Sequence, residues 1–311
     1  MANNIIVASV SGGKDSTAMC LNFIEQGVEF RPVFIDTGWE NAATYAYLKD
    51  YLPSVIGPVE WIRSEVELSP ELEPVALEFE ARLGHYSAMI RWCLHKAMFP
   101  SRLRRWCTDH TKTKPMRGYL IALDDEPINA VGVRAGESAA RARLTEREWS
   151  DFYDCEIWRP IHSWSEQDVI DIHNRHGVRP SPNYLAGATR VGCWPCIYAA
   201  KKEIHLIADS DPERIELLQD LEFVIGDLVR TKLAKQGETL ESKGWTAPGW
   251  FVNKEDKPDP ITGKRSGSNW PIARVVEWAR TKRGGRQVEL FMAPGRESGC
   301  MRWGLCDTGG R

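Results

Sequence analysis

Residues 9–17 read Ser-Val-Ser-Gly-Gly-Lys-Asp-Ser-Thr, "SVSGGKDST". They follow a short apolar run, "IIVASV" (5–10), whose β-branched residues predict a buried strand. They lead into a segment, 16–26, in which Met19 and Phe23 share one helical face and Cys20 and Ile24 another, with Gly27 as its stop. A glycine turn between a strand and a helix is the setting of a phosphate loop. It is not the G-x-x-x-x-G-K-[ST] loop, because Gly12 and Gly13 are adjacent. Adjacent glycines allow a tight turn and a close approach to a ligand. The amides and positive end of the following helix attract phosphate oxygens. Ser11, Ser16 and Thr17 add hydroxyls and Lys14 adds a charge. Asp15 repels phosphate unless it binds Mg²⁺ or caps the helix.

Outward from the loop, "FRPVFID" (30–36) predicts a second strand, "ENAATYAYLKDYL" (40–52) a helix and "PVEWIRS" (58–64) a third strand. A helical stretch over 71–97 is interrupted at Pro74 and Gly84. Residues 101–114 are basic, 115–125 read as a helix and 127–135 as a strand. Ser163 and Glu166 have capping-box spacing, opening a helix that runs to about His176 and closes at Gly177. Alternating strands and helices predict an α/β fold, a doubly wound, mainly parallel sheet with helices on both faces. From about 180 the pattern changes. A cysteine-bearing loop is followed by a long helix from Asp211-Pro212 to about Gln236, an extended loop over 237–268 and a last basic helix in "WPIARVVEWARTKRGG". The expected division is a nucleotide-binding domain over 1–180 and a helical, cysteine-containing region over 181–311.

The 311 residues are 42% hydrophobic and 27% charged, with a net charge of -3, so no overall basic excess marks a nucleic-acid binder. A local patch suffices for that. No apolar run approaches the ~20 residues of a membrane span, and residues 1–10 lack a signal peptide's basic region and cleavage site. A cytoplasmic location is the default expectation, with no membrane partner. There the eight cysteines are expected to be reduced, which favours metal or catalytic roles over disulfides.

Ser11-Gly12-Gly13-Lys14-Asp15-Ser16 resembles the SGGxDS pyrophosphate loop of the N-type ATP pyrophosphatases and the phosphoadenosine-phosphosulfate (PAPS) reductases. "VFIDTGWEN" (33–41) resembles the DTG segment of PAPS-reductase-like proteins, with Asp36, Thr37 and Gly38 at a strand's end. "RRWCTDHTKTKPM" (104–116) resembles their arginine/cysteine/lysine segment, through Arg105 and Lys112. "VGVRAGESAARARL" (131–144) resembles their G-x-R-x-x-E-S segment, with Arg134 as a phosphate ligand and Glu137 as its support. The similarity spans roughly residues 5–200. It implies an adenine nucleotide alpha hydrolase-like fold that binds ATP with Mg²⁺, held by Asp15 or Asp36. It also implies Lys14, Asp15 and Arg134 as catalytic residues, and Ser11 to Thr17, Asp36 to Gly38, Arg105, Lys112 and Arg134 as the nucleotide site. The bland alternatives are a strand-ending turn at 36–38 and a solvated basic loop at 104–116.

Cys193-Trp194-Pro195-Cys196 is a C-x-x-C pair, and Cys300 and Cys306 form a second pair in "CMRWGLCD". Four thiolates in two pairs suit a tetrahedral metal or an iron–sulfur cluster. The segments "NYLAGATRVGCWPC" and "GLCD" resemble those of a cysteine-rich subset of PAPS-reductase-like proteins, including phage and DNA-phosphorothioation members. That resemblance implies a [4Fe–4S] cluster on Cys193, Cys196, Cys300 and Cys306, with Cys107 as an alternative ligand. Zinc, a redox or persulfide pair, and inert thiols are the alternatives. Cys20, Cys93 and Cys155 read as packed core.

Three functions follow. The first cleaves ATP to AMP and pyrophosphate, activating a substrate such as tRNA or DNA for sulfur transfer, with sulfur from a cysteine desulfurase. Arg274, Arg280, Lys282, Arg283 and Arg286 could track its phosphates, or form a solvated helix face. The second is a sulfonucleotide reductase using a thiol reductant. Against it, the Glu-Cys-Gly-Leu-His segment of the assimilatory reductases is missing, and Gly304-Leu305-Cys306-Asp307 stands in its place. The third is a nucleotide-binding module that performs no chemistry.

Overall fold

In the computed structural model, the described residues are 5–102, 104–123, 126–253, 268–282 and Trp303. In chain order they form β1 (Ile5–Val10), α1 (Lys14–Gln26), β2 (Arg31–Asp36), α2 (Ala42–Ala46), α3 (Pro53–Ile56), β3 (Glu60–Arg63), α4 (Glu73–Leu83), α5 (Ala88–Lys96), α6 (Trp106–Thr108), α7 (Lys114–Ile121) and β4 (Pro127–Val131). Next come β5 (Arg147–Ser150), β6 (Cys155–Trp158), α8 (Glu166–Arg175), α9 (Pro182–Leu185), α10 (Lys201–Ser210), α11 (Pro212–Ala234), β7 (Phe251–Asn253), β8 (Ser268–Trp270) and α12 (Ile272–Arg280). π-helical turns at Tyr47–Tyr51 and Asp109–Thr113 lead into α3 and α7. Among the described residues no helix is long and apolar enough to cross a membrane.

The chain divides into two compact units that interleave in sequence, Met1–Ser64 with His110–Cys193 and Met292–Arg311, and Glu65–Asp109 with Trp194–Phe291. A single cut at 180 does not describe this arrangement, because 65–109 fold with the C-terminal helices.

The first unit holds a six-stranded sheet in the order β3-β2-β1-β4-β6-β5. All neighbours are parallel except β5, which runs antiparallel to β6. Both faces are covered, as a parallel sheet requires. Ala8, Val10 and Phe34 face Met19, Phe23, Leu48 and Leu52 on one side. Val7, Val33 and Cys155 of β6 face Met116 and Leu120 of α7 on the other. The doubly wound α/β fold expected from the alternating pattern is present. The β5–β6 hairpin has no counterpart in the sequence reading. Its edge strand is polar and leaves Trp149 exposed, so no apolar alternation marks it.

Gly27 ends α1 in the left-handed region, its amide bonded to Ile24 O. Cys20 is buried in the core beside α1, but Ile24 is exposed, so the expected second apolar face is only half used. The cap of α8 lies two residues beyond the expected one. The Ser165 hydroxyl accepts from the Asp168 amide (3.2 Å), and the Asp168 carboxylate accepts from the Ser165 amide (2.7 Å). The box spacing occurs at both offsets. At Ser165 both reciprocal bonds form, and Glu166 becomes the first helical residue.

In the second unit, Pro74 does not break the helix. It sits in the first turn of α4, where no N–H is needed, and Gly84 supplies the break before α5. Asp211 caps α11 as expected, accepting from the Arg214 amide at 3.1 Å. The helix α10 was not legible, because Glu203 reaches back to the Ala200 amide without a Ser or Thr cap.

Candidate functional site

The strand order reverses direction at β1, between β2 and β4. Such a reversal, outside the carboxyl ends of the parallel strands, is the usual ligand position in sheets of this kind. Three segments far apart in sequence arrive at these ends: 11–17 after β1, 36–40 after β2 and 132–137 after β4.

The first is a bonded turn. Gly12 takes φ +69°, which other residues rarely adopt. The Ser11 amide donates to Ser16 Oγ (3.2 Å), and Ser16 Oγ donates to Gly13 O (3.1 Å). The first helical bond of α1 is Thr17 N to Gly13 O, so the amides of Lys14, Asp15 and Ser16 precede it. The Lys14 amide donates to the Tyr184 hydroxyl at 3.2 Å.

Asp15 binds two cations. Arg134 Nε donates to Asp15 Oδ1, and Lys14 Nζ stands 3.3 Å from Asp15 Oδ2. Lys14 Nζ is also 3.4 Å from Glu166 Oε1 and lies over the Tyr184 ring. Arg134 is only 5% exposed. Glu137 does not hold its guanidinium as expected. Its carboxylate accepts from the Arg134 backbone amide (2.9 Å) and pairs with Arg141. Gly132 makes the approach possible, since a Cβ there would lie 2.8 Å from the Asp15 carbonyl and from Ser16 Cα.

The second segment is a carboxylate turn. Asp36 Oδ1 accepts from the Gly38 amide and the Tyr45 hydroxyl, both at 2.8 Å. Glu40 is 3% exposed. It accepts from Thr37 Oγ1 (2.7 Å), the Trp39 amide (3.2 Å) and Tyr45 (3.0 Å). Burial and the two carboxylates push the Tyr45 hydroxyl's pKa far above its ordinary value. Thr37 is buried and committed to Glu40, so its side chain supports the turn and does not face a ligand.

Of the expected residues, Ser11 to Thr17, Asp36 to Gly38 and Arg134 share the strand-end region of one unit. Lys112 belongs to the same unit, half-buried in the π-helical turn before α7. Arg105 is exposed and belongs to the second unit. The sequence places Glu166 only at a helix start, and gives Tyr184, Glu40, Tyr45 and Gly132 no role of their own at the site. Of these, Glu40, Gly132 and Tyr184 stand inside the quoted segments "VFIDTGWEN", "VGVRAGESAARARL" and "NYLAGATRVGCWPC".

Asp15 is saturated by cations and does not suit Mg²⁺. Asp36 suits it better, because only its Oδ1 is hydrogen-bonded among the described residues. One carboxylate beside ligand phosphates is a common Mg²⁺ arrangement.

Cys193 and Cys196 are half-buried and not joined in a disulfide. Cys193 forms a lone antiparallel bridge with Glu40. Cys300 and Cys306 lie outside the described residues, as do Arg283 and Arg286. Trp303, between those cysteines in sequence, is buried against Tyr184 and His173, with ring centroids 5.9 and 5.3 Å away. Cys107 is half-buried in the second unit, close enough to Cys93 to add to the burial that raises that thiol's pKa. Among the described residues no group of three or more His, Cys, Asp or Glu is placed to hold a metal. Cys20, Cys93 and Cys155 are core, as expected.

The phosphoadenosine phosphosulfate reductase domain model matches residues 74–199. An uncharacterized 37.8 kDa protein of Escherichia phage 186 is 32% identical over 98% of this chain and 97% of its own. The chain belongs to the PAPS reductase-like family. The matched segment of this family member begins at α4, so it includes Arg134 and Cys193 but not the 11–17 loop. An adenosine 5'-phosphosulfate reductase of Allochromatium vinosum is 32% identical over 31% of the chain and 36% of its own length. A PAPS reductase from Candida auris, solved as a phosphate complex, aligns over 61% of the chain and 81% of its own, at 17% identity and a TM-score of 0.43.

Proposed function

We propose that the chain binds ATP with its phosphates on the 11–17 loop and cleaves it to AMP and pyrophosphate. The cleavage activates an acceptor, in this reading a nucleic acid, for sulfur transfer. The observation that carries the proposal is Asp15 holding Lys14 and Arg134 together at the N-terminus of α1. Cations fixed beside the first amides of a helix are preorganised for charge that develops on phosphate oxygens.

A heteroatom of the acceptor attacks the α-phosphorus. The bond from that phosphorus to the bridging oxygen breaks, and its electron pair leaves with pyrophosphate. Lys14 and the α1 amides offset the charge on the leaving group, and Arg134 steadies the α-phosphate. Mg²⁺, when bound through Asp36, would supply further charge neutralisation. A sulfur nucleophile, delivered by a desulfurase partner, then displaces AMP from the acceptor. In the same reading Cys193 and Cys196 contribute to a [4Fe–4S] cluster, with zinc as the alternative. Iron and zinc content of anaerobically purified protein decides between them, and a chain carrying neither would sink both.

α-labelled ATP with Mg²⁺, with and without tRNA or DNA, tests the reading by resolving AMP from ADP. AMP and pyrophosphate are expected. Lys14→Ala should lower their formation by about 100-fold or more, and full turnover in that variant would refute the assignment.

A second reading is favoured by the relatives named adenosine 5'-phosphosulfate reductases. Thiol-dependent sulfite release from a sulfonucleotide, without AMP formation from ATP, would establish it. Nucleotide binding with neither reaction would leave a non-catalytic module.

A further inference from the structure

The second unit contains a concave groove that the proposed chemistry does not use. Its volume is about 790 Å³. The segment that follows α5, the end of α11 and the loop over 240–249 line it. Phe99, Leu233 and Leu240 are buried and apolar, and Trp245 is 57% exposed.

Its charge is one-sided. Lys96, Arg104, Lys232 and Lys243 line the groove, and among the described residues no Asp or Glu does so. That bias stands out in a chain whose net charge is -3. Among the described residues only Lys243 of these four has a carboxylate partner, Glu238. Lys96 lies over the Trp92 ring at 4.9 Å, and Arg104 and Lys232 are exposed.

We propose that this groove binds a single strand of nucleic acid, with the four cations following its phosphates and a base stacked on Trp245. Cations interleaved with an exposed aromatic ring are the common device for holding single strands without sequence preference. The volume lies in the range of small-molecule pockets, about 300–1,000 Å³, so the groove takes the base stacked on Trp245 while the neighbouring phosphates of the strand run along its cations. The groove would serve the acceptor of the reaction proposed above, and to that extent rests on that reading.

Binding of a labelled single-stranded oligonucleotide, followed by anisotropy in the absence of ATP, tests the proposal. The absence of ATP separates it from the cleavage chemistry, since failure of either leaves the other standing. With four phosphates neutralised, affinity should fall roughly 50-fold between about 50 and 200 mM salt. Lys96→Gln with Lys232→Gln should lower the salt slope by about 1.4. Trp245→Ala should weaken binding about tenfold, with Trp245→Phe restoring most of the loss. Thermal melts of each variant establish that it folds. Affinity unchanged in these variants, a duplex bound as tightly as the single strand, or displacement of the strand by polyglutamate at equal charge would overturn the assignment. The last result would give the groove to an acidic protein.

Discussion

Lys14 and Arg134 would repel each other across the start of α1 without the carboxylate of Asp15 between them. Both cations contact it. The contact exists because β4 is followed by Gly132, which lets the backbone of Asp15 come within reach. Gly132→Ala places a methyl 2.8 Å from backbone atoms that cannot rotate away. The expected result is a loss of about 1–3 kcal/mol in urea denaturation, together with weakened ATP binding in calorimetry. Unchanged stability and affinity would mean that the strand end yields freely. Much of this site was legible, because strand, glycines, lysine and helix are consecutive. Tyr184 and Glu166 were not. Their contacts with Lys14 span 170 and 152 residues, and neither the helix-start spacing of Glu166 nor the cysteine-loop segment that holds Tyr184 points to that lysine.

At the scale of elements, one buried arginine joins α4 to α5. Arg91 donates to Glu80 through Nε and Nη2 at 2.7 and 3.0 Å, and to Glu73 through Nη1 and Nη2 at 3.0 and 2.8 Å. Glu80 also accepts from the Ser87 amide in the turn between the helices. The Arg91 and Glu80 side chains are 8% and 9% exposed, so water cannot replace either partner. Arg91→Ala should cost about 3–5 kcal/mol by leaving Glu80 charged and buried. The double variant Arg91→Met, Glu80→Leu should recover most of that loss in the same melt. If the single variant costs under about 1 kcal/mol, the pair is better solvated than its burial implies. Helices were legible where apolar spacing and caps agreed, as in α1 and α11. The α8 boundary was misread because one cap pattern fits two offsets. The β5–β6 hairpin was missed because an exposed edge strand carries no core pattern.

For the whole molecule, acidity bears on stability through Glu222. Its carboxylate accepts from the amides of Trp250 (2.9 Å) and Ile272 (2.9 and 3.1 Å), joining α11 to the segments before β7 and at the start of α12. Burial raises its pKa from 4.5 to about 7 despite those bonds. The folded chain therefore keeps a proton that the unfolded chain releases. Stability should fall as pH rises from 4.5 to about 7 and level off above, by on the order of 3 kcal/mol. Glu222→Gln retains an acceptor for both amides and cannot ionise, so its melting temperature should lose that slope. An equal slope in the variant would place the titration elsewhere. The α/β architecture was legible from strand–helix alternation. The pairing of 65–109 with 194–291 was not, because apolar spacing shows that a helix has a buried face without naming the surface that covers it.

That pairing governs how the polypeptide can fold as it is made. Residues 65–109 leave the ribosome before the 84 residues that separate them from their partners. At cellular rates of synthesis the delay is on the order of ten seconds. Throughout it, α4 and α5 lack the C-terminal segments with which they form one compact unit. Over that interval the nascent chain carries an incomplete second unit, the condition under which chains associate with one another. A fragment released at residue 193 would be discarded or aggregate, however well its sheet had formed.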